Sequence, residues 1–213
     1  MDKNVYSLVL LDDVVDAVDK LACERCTSRS GLVNQILAEY FSCSTPDTRI
    51  RDIFTCMEKT FDSLNGFRFS GQPGNSSVTI RSPLRYAYHP TVRYVLELYH
   101  NSSPYIGRLR VAFRTQNSSL LQLSEDFFRY WELLECRCIG SLFEGGKIPC
   151  TVEAGRYNRE LRPPERRNCT DEEIAEAIRR YICRFDTALK QYFADPGNSE
   201  PVFPDPADDD MIL

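Results

Sequence analysis

Histidine is nearly absent from this chain. Its 213 residues include two, His89 and His100, beside a single tryptophan. A metal centre built on imidazoles is therefore not expected. His89 sits in RYAYHP, next to Pro90, and reads as a turn residue. A long apolar run is also missing: no stretch approaches the length of a membrane span, so no membrane partner is expected. The first residues show no basic region, apolar stretch and cleavage site in sequence, so no secretory signal and a cytoplasmic location are expected. Nine cysteines are then expected as reduced thiols. The sequons at Asn75, Asn101, Asn117 and Asn168 then mark turns and a helix cap.

Catalytic signatures are equally scarce. No dinucleotide fingerprint, Ser/His/Asp order or paired-carboxylate spacing stands out. Gly145-Gly146-Lys147 is no phosphate loop, because Ile148 stands where Ser or Thr would hold magnesium. Cys23-Glu24-Arg25-Cys26 is a CxxC whose possible second pair, Cys136 and Cys138, has the wrong spacing for a zinc knuckle. Cys23 is expected to face inward as a structural thiol. An enzyme, a cofactor and a metal are not expected. No internal repeat is visible.

What is present begins at Lys3. Tyr6, Leu8 and Leu10 alternate with Val5, Ser7 and Val9, the period of a strand with one buried face. At Asp12 the period changes. Val14, Val15, Val18, Leu21 and Ala22 make one helical stripe, with Asp12 and Asp13 at its positive N-terminal end. Thr27 or Ser28 caps a second helix whose apolar residues are Leu32, Val33, Ile36, Leu37, Tyr40 and Phe41. A unit of about 40 residues buries too little surface to fold unaided. Its single strand leaves both edges unpaired. A twofold dimer that pairs the strand with its copy solves both problems.

Residues 3–42 thus resemble the ribbon-helix-helix fold of the MetJ/Arc/CopG superfamily of DNA-binding regulators. The resemblance covers about the first fifth of the chain. It implies an intermolecular ribbon in the major groove, with outward strand residues on the bases and the start of the second helix on a phosphate. Carried over by position, the base readers are Val5, Ser7 and Val9, and the phosphate contacts are Ser28, Arg29 and Ser30. Ser7 can hydrogen-bond a base edge, whereas a valine can only touch a thymine methyl. The implied partners are DNA and a second copy, as a homodimer or a dimer of dimers. The implied role is transcriptional or plasmid/phage regulation. An alternative stays open: the unit only assembles the C-terminal domains and binds no DNA.

Charge is uneven along the chain. Residues 1–44 hold four basic and seven acidic side chains, a net of −3; residues 45–169 hold 18 and 13, a net of +5; residues 170–213 hold 4 and 11, a net of −7. Protein–DNA affinity comes largely from neutralised phosphates, so the cations must be sought in the middle.

That region reads as α+β, an antiparallel β-meander packed against helices, in a domain spanning residues 45–195. A helix is expected from Pro46 to Leu64, ended by Asn65-Gly66, then a short strand from Phe67 to Ser70. Strands follow at 78–82, 84–89, 92–100 and 105–115. Arg93, Arg108, Arg110 and Arg114 fall on one face of this meander and form either a candidate phosphate or anion patch or a solvated face on which Glu97 pairs some of them across strands. Tyr86, Tyr88, Tyr94 and Tyr99 are candidates to stack on bases. A helix is expected over 118–136, loops over 139–169, and a last helix to Ala194 started by a Thr170/Glu173 capping box. This domain would hold any effector or protein-partner site. Residues 196–213, rich in Pro and Asp, are expected to be a disordered tail.

Overall fold

The computed structural model describes residues 5–41, 43, 45–71, 76–86, 89–100, 104–153, 155–162 and 169–195. The chain divides into two compact units, Met1–Arg49 and Ile50–Leu213.

In the first unit residues 5–11 run without a ladder partner and lead into α1 (Asp12–Glu24) and α2 (Arg29–Tyr40). Among the described residues no strand precedes Arg68. A strand is defined by its neighbour, and the expected neighbour of residues 5–10 is a second copy of the chain. Helix α1 starts at Leu11 without a side-chain cap, helped by Asp12 and Asp13 in its first turn. Ser28 caps α2: its Oγ accepts from the Gly31 N–H at 3.1 Å. The turn between them holds Cys26 at φ 50°. Cys23 is exposed, not turned inward, and so is Cys26. So short a pair of helices has little interior: only Ala22, Leu32 and Ala38 are buried.

Helix α3 (Pro46–Asp62) starts at a reciprocal pair, in which Thr45 N–H donates to Thr48 Oγ1 and Thr48 N–H to Thr45 Oγ1. It is followed by β1 (Arg68–Gly71), β2 (Ser77–Pro83), β3 (Thr91–Leu98) and β4 (Gly107–Phe113). Then come α4 (Ser118–Ile139), two short 3-10 turns, the hairpin β5 (Cys150–Glu153) and β6 (Arg156–Leu161), and α5 (Asp171–Ala194). Every strand pair is antiparallel, in the order β1-β2-β3-β4-β6-β5.

Two sequence expectations fail here. Residues 84–89 are not a strand where they are described. Leu84 N–H donates to Pro90 O and His89 N–H to Tyr86 O, so this is a turn, with His89 at φ 45°. Tyr88 lies outside the described residues. The supposed loop of 139–169 contains β5 and β6, and β6 is an interior strand. The other boundaries move by one to three residues.

Alternation on β2, β3, β4 and β6 turns one sheet face inward: Val78, Ile80, Tyr94, Leu96, Leu109, Val111, Tyr157 and Leu161 are buried. These join Phe54, Met57 and Phe61 of α3, Phe127, Phe128 and Trp131 of α4, and Ile178, Ile182 and Phe185 of α5 in one core. The capping box at Thr170 and Glu173 starts α5 as expected. The opposite sheet face carries the exposed and half-exposed residues of each strand. Among the described residues no helix is long and apolar enough to cross a membrane.

Candidate nucleic-acid interface

Residues 5–11 carry the largest run of exposed apolar side chains in the first unit. Exposure follows the strand period. Val5 and Val9 are fully exposed at 99% and 102%, whereas Tyr6, Leu8 and Leu10 fall to 80%, 62% and 42%. One side of the segment is thus partly screened and the other is bare. The helices add Val14, Ile36, Leu37, Tyr40 and Phe41, all exposed. Large contiguous apolar patches on soluble proteins mark contact sites.

Of the expected base readers, Val5, Ser7 and Val9 all lie on the bare side. Of the expected phosphate contacts, Ser28 is the cap of α2, and Arg29 and Ser30 are exposed in its first turn. Arg29 is not idle. Its guanidinium makes a two-pronged pair with the Asp19 carboxylate of α1. The hydrogen bonds from Arg29 hold the Asp19 carboxyl below the ordinary carboxylate range.

The second unit places the arginines in rows. Strand register aligns Arg68, Arg81, Arg93, Ala112 and Arg156 across β1, β2, β3, β4 and β6, with Glu153 of β5 at the end. The next row is Ser70, Thr79, Val95, Arg110, Asn158 and Thr151. The one after it brings Glu97, Arg108 and Glu160 together. Arg114 extends the pattern past β4, where its N–H donates to Thr91 O at 3.3 Å. Of the four arginines named from sequence, Arg93, Arg110 and Arg114 are exposed on this outer face. Arg108 is half-buried and already paired: its Nε donates to Glu160 Oε1 at 2.7 Å. Arg110 Nε donates to Asn158 Oδ1 at 3.1 Å. A depression of about 670 Å³ lies along β4, β6 and β5, lined by Arg108, Arg110, Arg156, Asn158 and Thr151 among others.

Sequence reasoning missed Arg68, Arg81 and Arg156. Arg81 was legible, since it follows Val78 and Ile80 at strand spacing. Arg156 was hidden in the stretch read as loop.

Of the four tyrosines named from sequence, the three described ones, Tyr86, Tyr94 and Tyr99, form no stacking platform. Tyr94 is buried on the inner face and donates to Asp186 Oδ1 at 2.9 Å, and burial followed by that carboxylate pushes its phenol well above the ordinary value. Tyr86 packs edge-on against Phe193. Tyr99 donates to Glu160 Oε2 at 2.7 Å, and partial burial together with Glu160 pushes it up to about 12.

Two polar clusters lie on the inner side. Asp186 accepts from Ser82 and Tyr94, while Lys190 Nζ reaches Asp186 at 2.6 Å and Ser82 Oγ at 2.8 Å. Ser82 is fully buried, so it offers no accessible nucleophile. The other cluster joins Glu135 and Arg159, both fully buried, at 3.5 Å. Tyr157 OH donates to Glu135 Oε2 at 2.5 Å, and the Arg159 guanidinium lies 4.6 Å from the Tyr181 ring centre. Both clusters lie inside the core, and Arg159 also borders the depression on β4, β6 and β5. No group of three or more metal-ligating side chains comes together among these residues. The chain matches no known family model, no curated protein and no solved structure.

Proposed function

We propose that this chain is a homodimeric DNA-binding regulator whose N-terminal unit acts as a ribbon-helix-helix module. The observation that carries it is the apolar segment of residues 5–11, unpaired in one chain and screened on alternate residues. It supports pairing with a second copy: Tyr6, Leu8 and Leu10 turn into the shared core while Val5, Ser7 and Val9 face the major groove. Burying a Leu side chain contributes about 1.5–3 kcal/mol. The apolar residues of two segments and four helices therefore provide a driving force that one copy lacks. The helix order, the Ser28 cap and the arginine beside it fit the same module. Binding, not catalysis, is the activity proposed, and the second unit is then a partner- or effector-binding domain.

One contact favours the second reading, a ribbon that only joins two copies. Arg29, the expected phosphate cation, is neutralised by Asp19. The two readings separate in an electrophoretic mobility shift on genomic fragments across salt. With DNA binding, Asp19→Asn frees Arg29 and tightens binding. Arg29→Ala weakens binding to all sequences and flattens the salt dependence by about one phosphate contact. Ser7→Ala shifts sequence preference modestly. If no fragment shifts at low salt, the assembly-only reading stands.

A further inference from the structure

The outer face of the sheet presents a problem of its own. Arg68, Arg81 and Arg93 are direct cross-strand partners in β1, β2 and β3. Like charges placed directly opposite destabilise a sheet. A face that needs only to be solvated has no reason to align three guanidinium groups. Among the described residues, none of Arg68, Arg81, Arg93 and Arg156 forms a salt bridge. Carboxylates on this face are few. Glu160 is taken by Arg108 and Tyr99, Glu97 lies opposite Arg108, and Glu153 closes the arginine row at the β5 edge.

We propose that this face is a phosphate rail that holds a nucleic-acid backbone without reading its sequence. The row from Arg68 to Arg156 crosses four strand-to-strand steps, about 19 Å at ~4.8 Å each. A duplex strand offers a phosphate about every 3.4 Å of its axis, so each long guanidinium of the row has one within reach. Arg110 and Arg114 widen the rail on either side of the row. Ser70, Thr79, Thr151 and Asn158 supply neutral hydrogen-bonding groups beside it, the side-chain types that contact phosphate and sugar.

The chemistry of the face selects this occupant. Tyr94 and Tyr86 are turned into the core and Tyr99 is tied to Glu160, so none of these three is placed to stack on a base. Contact is then with phosphates, not with unstacked bases. A lipid surface would favour apolar side chains that insert beside the cations, and the face offers only Pro83, Val95 and Ala112. The inference does not rest on the ribbon reading, since it concerns the other unit and predicts affinity with no sequence preference.

The test uses the full chain and the double variant Arg81→Ala/Arg93→Ala. Both side chains are exposed, and removing one pair of opposed charges leaves the melting temperature unchanged or raised. Binding is measured by fluorescence anisotropy on labelled random-sequence duplex DNA over a salt series. Phosphatidylserine vesicles and inorganic polyphosphate serve as separate arms. We expect the double variant to lose tenfold or more in duplex affinity. We also expect the slope of log K against log salt to flatten by about 1.8, from two phosphates at ~0.9 each. Arg81→Lys/Arg93→Lys should keep most of that slope. Unchanged affinity and slope in the alanine variant would overturn the rail. So would arginine-dependent binding of vesicles or polyphosphate without binding of DNA.

Discussion

At the scale of single residues, the second unit keeps one cation where chemistry disfavours it. Arg159 is fully buried, and its guanidinium donates no hydrogen bond among the described residues. Burial opposes its charge, yet the Glu135 carboxylate beside it holds the guanidinium pKa above its ordinary value. The Tyr181 ring adds a cation–π contact from one side. Breaking such a pair costs far more than removing it whole, because the surviving charge is left uncompensated. Arg159→Met should therefore destabilise the protein by about 3–5 kcal/mol, measured by urea unfolding. The double change Glu135→Leu/Arg159→Met should recover most of that. A loss below ~1 kcal/mol for the single variant would mean that Glu135 does not need its partner. None of this was legible in sequence, since Arg159 and Glu135 are 24 residues apart and look like ordinary surface charges.

At the scale of elements, the chain was legible where its pattern was pure. The three helices α3, α4 and α5 and the strands β2, β3 and β4 follow from apolar period and from caps at Asn117 and Thr170. Strand β6 was not legible, because RYNREL places Arg159 between Tyr157 and Leu161 on the inner face. A buried arginine breaks the alternation that a reader looks for. The Glu135 that compensates it comes from another element. Residues 84–89 failed in the opposite way. Their aromatics suggested a strand, but Pro90 and the left-handed His89 turn the chain instead. Gly107 shows how closely β3 and β4 approach. A Cβ there would lie 2.2 Å from Glu97 O. Gly107→Ala should wedge the two strands apart and cost about 1–3 kcal/mol, the usual range for overpacking, read as a lowered urea midpoint. An unchanged midpoint would mean that β3 yields at no cost.

At the scale of the whole molecule, the two units are finished to different degrees. The second buries a continuous core and leaves its basic sheet face open. The first leaves much of its apolar surface in water: Leu8, Leu10, Val14, Ile36, Leu37 and Phe41 are all exposed in a single copy. Sequence alone pointed to the same deficit, because a strand and two short helices cannot bury enough. What it could not give was the arrangement of charge. The pairing of Arg29 with Asp19 and the arginine row of the sheet both depend on residues brought together by folding. The central claim is that a second copy completes the first unit. Sedimentation of the full chain over a concentration series tests it most directly. We expect a mass of about twice 24.5 kDa, or a higher even multiple, and a collapse to the single-chain mass for Leu8→Asp, which would bury a charge in the shared core. A wild-type chain that sediments at the single-chain mass at every concentration, with its N-terminal helices intact by circular dichroism, would contradict it.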